Sequence, residues 1–286
     1  MKSRFKRKQI IIVIILALLA LVVGWMVWGN LTIGTTHYEI AFKNLPSSFE
    51  GYKIAQISDL HNAKFGENNA RIIEILHEEK PDMIAITGDL IDSNRTDIDI
   101  AVQFMQQAVQ IAPCYYVTGN HEAWIGEDYQ QLEKKMIDVG VRILHDEVMP
   151  IYKDGESIQL IGLDDPDFAD RDAVVQDSML DSKLKNLKLQ DGFKLLLSHR
   201  PETFHSYVST NVDLVLSGHA HGGQFRMPFI GGIVAPNQGL FPEYDAGVFG
   251  ERGTTMVVSR GIGNSIIPVR LNNRPEIVIV KLQPKS

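Results

Sequence analysis

The chain has 286 residues, 44% of them hydrophobic and 22% charged, a formal net charge of −7 and a single cysteine. That size suits one substantial globular core, the lone Cys114 excludes an internal disulfide, and the acidic balance argues against a protein that tracks nucleic-acid phosphates on a basic stripe. A phosphate-bearing substrate would need positive charge supplied locally, as bound metal ions can do.

The N-terminus departs from this balance. Lys2, Arg4, Lys6, Arg7 and Lys8 precede an unbroken apolar run from Ile10 to Trp28, and no acidic residue appears before Glu39. At about 1.5 Å per residue the run is long enough to cross a bilayer as a helix. It exceeds the roughly 7–15-residue core of a cleaved signal peptide, and no small-x-small site follows it. It also lacks the polar face of a core helix. The expected organisation is a basic cytoplasmic tail over 1–8, a single-pass anchor over 9–28, a linker or edge strand over 29–48, and a folded domain over 49–286. Basic residues stay on the cytoplasmic side, so the domain should face outward from the cell membrane.

From Tyr52 onward, strands and helices alternate. Strands are expected at Tyr52–Ser58, Met83–Thr87 and Cys114–Thr118, with helices at Ala70–His77, Ile98–Ile111 and Tyr129–Val139. This is the βαβ rhythm of a largely parallel sheet. Past Gly140 the connections shorten: Val141–Leu144, Glu147–Tyr152 and Ile158–Leu163 read as strands and Arg171–Leu187 as a helix. Strands at Phe193–Leu197 and Leu214–Leu216 flank a short helix near Pro201, and Thr255–Ser259 and Ile277–Leu282 return to strand. The mixture of connection types predicts an α/β fold of two sheets packed face to face with helices outside.

The informative residues follow the apolar runs. Asp59-Leu60-His61, Gly88-Asp89, Gly119-Asn120-His121-Glu122, Ser198-His199 and Gly218-His219-Ala220-His221 each close a strand. Ligands of open α/β sheets gather at the carboxyl ends of strands. Each motif alone is weak, since Asp and Gly are common turn residues; together and in this order they are specific. His37, His77, His145 and His205 lie outside any such context and read as surface or structural. Imidazole mixed with carboxylate suits manganese, iron or zinc. Seven donors are too many for one tetrahedral ion and fit two divalent ions about 3.5–4 Å apart sharing a carboxylate.

These motifs resemble the calcineurin-like metallophosphoesterase superfamily, and the match covers nearly everything from Tyr52 onward. Ser217–Gln224, Pro242–Gly247 and Ser259–Gly263 further resemble a bacterial membrane-associated branch. The resemblance implies a four-layer αββα sandwich of two mixed sheets. It implies that Asp59, His61 and His221 hold one ion, that Asn120, His199 and His219 hold the other, and that Asp89 bridges them. His121 would then be catalytic, near the leaving oxygen, with Glu122 a candidate to orient it. A water activated between the ions would attack phosphorus in line. Asp92 is expected to cap or orient its loop. Asp164-Asp165-Pro166-Asp167 reads as a polar turn. Arg200, Arg226 and Arg260 are weighed as packing or surface residues against a phosphate grip, with Arg260 kept as a possible substrate contact.

The function expected is hydrolysis of a phosphodiester or pyrophosphate, on a lipid-linked or cell-envelope substrate suited to the tether. A UDP-2,3-diacylglucosamine-type pyrophosphate hydrolase of lipid A synthesis is the alternative, in tension with an outward-facing domain because such precursors are cytoplasmic. A non-catalytic, metal-stabilised binding module is the rival of a different class. No nucleic-acid partner is expected, and the sequence leaves oligomeric state open.

Overall fold

The computed structural model describes residues 2–169, 173–264 and 267–285. It opens with α1 (Lys2–Leu31), whose apolar side chains from Ile10 to Trp28 are almost all exposed. Arg7–Leu31 is apolar and long enough to cross a membrane. The helix ends where the Asn30 amide donates to Met26 O and Arg270 O, both at 2.8 Å. The segment from 29 to 48 is not a free linker: β1 (Gly34–Phe42) pairs parallel with the last strand over its whole length. Its alternating Tyr38, Ile40 and Phe42 pack on the core between the sheets, which fixes it as an edge strand.

The elements that follow are β2 (Lys53–Ile57), α2 (Ala70–Glu79), β3 (Met83–Thr87), α3 (Ile98–Ala108), β4 (Cys114–Val117), α4 (Asn120–Trp124), α5 (Asp128–Asp138), β5 (Arg142–Ile143), β6 (Glu147–Lys153) and β7 (Glu156–Gly162). Then come α6 (Ala173–Asn186), β8 (Lys194–Leu197), α7 (Phe204–Ser209) and β9 (Leu214–Ser217). Arg171, where a helix was expected to begin, lies outside the described residues. Four two-residue strands form a pair of ribbons, β10 (Arg226–Met227) with β11 (Gly231–Gly232) and β12 (Val234–Ala235) with β13 (Gly239–Leu240). The chain closes with β14 (Gly247–Glu251), β15 (Thr254–Val258) and β16 (Glu276–Pro284).

Two six-stranded mixed sheets result, in the orders β1-β16-β2-β3-β4-β5 and β14-β15-β9-β8-β7-β6. Successive strand side chains point to opposite faces, so one strand feeds two cores. Met83 and Ala85 enter the layer between the sheets, while Ile84 and Ile86 pack outward against α2, α3 and α5. Leu214 and Leu216 enter the same middle layer, while Val215 meets α6 and α7. Burial on both faces explains why these strands read as continuous apolar runs. The architecture is the four-layer αββα sandwich.

The strand ends of the two sheets meet at one seam. Gln56 on β2 donates to Ser217 O on β9 at 2.8 Å, and His199 Nδ1 donates to Thr87 O at 2.7 Å. The polar loops after β2, β3, β4, β8 and β9 therefore converge on one another.

Candidate metal centre and active-site cavity

The loops after β2, β3 and β9 turn sharply as they leave their strands. Asp59, His61, Asp89, His219 and His221 all have φ between +47° and +63°, a region that costs a residue bearing a Cβ. Such strain persists only where the surroundings over-determine it. Here Asp59 N–H donates to Gly88 O, His61 N–H to Asp89 O, and His219 N–H to the Asp59 carboxylate at 3.1 Å. Gly119 and Gly218 are required by crowding, because a methyl at either would overlap the Asp89 or Asp59 carboxylate.

The turns aim seven side chains at one buried point. His61 Nε2 lies 3.1 Å from His221 Nε2 and 3.9 Å from Asp59 Oδ1, and His221 Nε2 lies 3.4 Å from that same oxygen. On the other side His199 Nε2 lies 3.2 Å from Asn120 Oδ1 and 3.1 Å from His219 Nδ1. Asp89 stands between the groups, with Oδ2 at 3.6 Å from His61 Nε2 and 3.3 Å from His199 Nε2. All seven residues are buried.

The donor chemistry fits cations. Lone-pair atoms this close, out of water, repel unless a positive charge sits among them, and ions bound at about 2.0–2.2 Å would give such separations. His199 Nδ1–H is committed to Thr87 O, which leaves Nε2 to face the cluster. Burial drives His61 down to about 3 and His219 and His221 well below the usual imidazole value, with the Arg200 guanidinium adding to the effect on His219. Neutral imidazole is the form that binds metal. Burial also opposes charge on Asp89 and His199, but their mutual attraction overrides it, holding the carboxylate low and the imidazole high; a cation bound there would take the place of the proton that His199 Nε2 shares with Asp89. Asp59, Asp89, Asn120, His61, His199, His219 and His221 could therefore hold two ions, with Asp89 shared.

His121 lies beside this cluster, its ring 4.5 Å from that of His61. The backbone N–H of Ser93 donates to His121 Nδ1 at 3.0 Å. An N–H can only donate, so the neutral ring carries its proton on Nε2. Asp92 accepts the Asn94 N–H and pairs with Arg95, and stands 3.8 Å from His121 Nδ1, so it orders the loop that sets this contact. Glu122 does not orient His121. It accepts N–H groups from Asp89, Leu90 and Gly119 at 2.7–2.9 Å. In a helix, consecutive side chains do not share a face, which is why the neighbour of His121 serves the Asp89 turn instead.

Above the cluster opens a cavity of about 410 Å³. His121, Asp89, Asn120, His219 and His221 form its floor, and Trp124, Val234, Pro236 and Ile267 supply apolar wall. Trp124 is fixed by its indole N–H donating to Asp167 at 2.7 Å. The loop from Asp164 to Asp167 is more than a polar turn: Asp165 and Asp167 clasp the buried Arg200, whose guanidinium lines the cavity 3.2 Å from His219 Nε2. Arg226 pairs with Asp245 instead. Arg260 pairs with Glu276 at 3.7 Å and lines a separate pocket under the end of α1, so it is no substrate contact in this arrangement. Ser93, Trp124 and the apolar wall gave no signal in the sequence. The buried Arg270, 3.3 Å from His221 Nδ1, gave none either.

Comparison with known proteins agrees with this geometry. The description "Calcineurin-like phosphoesterase" matches residues 52–223. The uncharacterized metallophosphoesterase YkuE of Bacillus subtilis is 31% identical over 263 residues, covering 88% of this chain and 86% of its own. The phosphodiesterase YaeI of Escherichia coli is 28% identical, covering 81% of this chain and 82% of its own. A zebrafish (Danio rerio) "transmembrane protein with metallophosphoesterase domain" is 28% identical, covering 86% of this chain and 56% of its own. The sandwich, the seam between its sheets and these similarities lead to one conclusion: this chain belongs to the calcineurin-like phosphoesterases and is a metal-dependent hydrolase of phosphoric esters.

Proposed function

We propose that the protein is a membrane-anchored phosphodiesterase whose centre takes two divalent ions. Asp59, His61 and His221 hold one, Asn120, His199 and His219 the other, and Asp89 joins them. The observation that carries this reading is the place of Asp89 Oδ2, 3.6 Å from one imidazole and 3.3 Å from the other. Donors of this type suit manganese, iron or zinc. When bound, such ions supply Lewis acidity that activates water and neutralises phosphoryl charge.

The chain's own groups then complete the reaction. His121, its proton fixed on Nε2 by Ser93, donates to the leaving oxygen as negative charge builds there. Arg200, held by Asp165 and Asp167, keeps His219 neutral and in place. The cavity wall from Trp124 to Ile267 accommodates an organic group on the phosphate, which favours an ester with a second substituent over free phosphate monoesters. The exposed apolar α1 and the tail of basic residues support an anchor with its N-terminus in the cytoplasm and the hydrolase outside.

The test is metal analysis and turnover on the purified full-length protein. Two equivalents of metal and hydrolysis of bis(4-nitrophenyl) phosphate are expected. Asp89→Ala should lose both, whereas His121→Ala should keep its metal and lose about 10²–10⁴-fold in kcat. A metal-free protein that still turns over would sink the reading. Proteolysis of intact cells should remove the domain from outside, and protection there would reverse the topology.

A further inference from the structure

Beyond α1, a second apolar surface has no place in the fold. Met227 at the end of β10 and Phe229 and Ile230 in the turn that leads to β11 are all exposed, with Phe229 standing free of any cover at 108% relative exposure. Leu240 and Phe241, at 70% and 63% exposure, lie on the neighbouring ribbon, which is tied in by the Phe241 N–H donating to Ile233 O. Phe229 and Phe241 both sit at positive φ, +67° and +56°. An aromatic held in a costly backbone conformation and pointed at water contributes nothing to stability. Scattered exposed apolar residues are ordinary, but a contiguous set marks an interaction site.

What covers this set is indicated by its neighbour. The strip Val269-Arg270-Leu271 runs between the ribbon and α1. The Arg226 N–H donates to Leu271 O at 2.9 Å on one side. On the other, Asn30 and the Arg270 backbone exchange two hydrogen bonds of 2.8 Å. Trp25 and Trp28 lie at this end of α1, with the Arg274 guanidinium 4.9 Å over the Trp28 ring. Tryptophan and arginine mark the level where a spanning helix leaves the hydrocarbon. The apolar ribbon is thus continuous with the point where α1 emerges. The β12 residues Val234 and Ala235 of the neighbouring ribbon also line the active-site cavity.

We propose that the turn from Met227 to Ile230, with Leu240 and Phe241, inserts into the outer layer of the same bilayer that α1 spans. This sets the cavity mouth at headgroup level, so the substrate is a phosphodiester carried on a membrane lipid. The inference rests on reading α1 as an anchor and the cavity as the active site. Apolar side chains buried at the acyl boundary supply the binding.

The test uses the full-length protein in phosphatidylcholine vesicles. Cys114 is buried and its thiol pushed up to about 12 by burial, so a cysteine-directed environment-sensitive fluorophore goes to an introduced site. With Phe229→Cys labelled, blue-shifted emission quenched by brominated acyl chains is expected, as it is for Leu18→Cys in α1. Quenching at 18 with water-like emission at 229 overturns the inserted edge and leaves the anchor standing. No quenching at either position overturns both. A blue shift at 229 without bromine quenching means that a second protein copy covers the ribbon, and also overturns the proposal.

Turnover gives an independent readout. Hexadecyl and methyl 4-nitrophenyl phosphate share a leaving group and differ only in the apolar chain. Met227→Ser/Phe229→Ser/Ile230→Ser should lose about tenfold or more in kcat/KM on the vesicle-borne hexadecyl ester, since burying one large apolar side chain is worth at least that factor. It should keep its rate on the soluble methyl ester. An unchanged hexadecyl rate, or an equal loss on both esters, refutes delivery from the bilayer.

Discussion

Glu122 shows how much of a metal centre can depend on a side chain that never faces it. Its carboxylate receives backbone N–H groups from Asp89, Leu90 and Gly119 and, at 3.4 Å, from Ile91, in the turns carrying Asp89 and Asn120. Burial and the nearby Asp89 push its pKa up to about 7, and these donors, which favour the ionised form, offset that rise only in part. Glu122→Gln substitutes a donor where only acceptors fit. Leaving a buried N–H unmet costs about 1–3 kcal/mol, and losing an outer support of a metal site typically costs about 10–100-fold in affinity. Both should appear, as a lower Tm and a weaker manganese titration, while kcat at saturating metal stays near wild type. A variant with unchanged metal affinity would confine Glu122 to folding.

Among the elements, α5 and the loop after β7 are joined through one imidazole. His145 Nε2 lies 2.7 Å from Glu133 on α5, and Nδ1 lies 2.8 Å from Asp164. The Asp164 hydrogen bond outweighs desolvation and raises His145 from 6.5 to about 9. A raised pKa means stability that is fully present below pH 6.5 and is lost as pH rises through 9. The ring is partly exposed, so the effect is small. Wild type should melt above His145→Ala at pH 6, and the two melting curves should meet above pH 9. A gap that persists there would mean that packing, not charge, joins the elements.

The same scale shows what the sequence made legible. Strands such as Met83–Thr87 were readable because burial on both faces leaves an unbroken apolar run, and the seven polar residues stood out by following such runs directly. The ribbons from Arg226 to Leu240 were not, because two-residue strands rich in glycine have no period to detect. The places of Arg200, Arg260 and Glu122 were not legible for a related reason. Whether a charged residue beside a motif faces the centre depends on partners such as Asp165, Glu276 or the Asp89 turn, which are distant in sequence or fixed by the local helix.

For the whole molecule, β1 changes where the folded unit begins. A boundary at residue 49 would discard β1 and leave β16 as an edge strand, paired with β2 alone and with the backbone groups that faced β1 open, a template for aggregation. A chain starting at residue 32 should be soluble and monomeric, whereas one starting at 49 should aggregate in light scattering. Solubility of the shorter chain would show that β1 is dispensable. The centre itself draws on both sheets, from Asp59 near the start of the domain to His221 well past its middle. A partly folded chain therefore has no place for a cation to lodge. Loading waits until the second sheet has arrived and closed on the first.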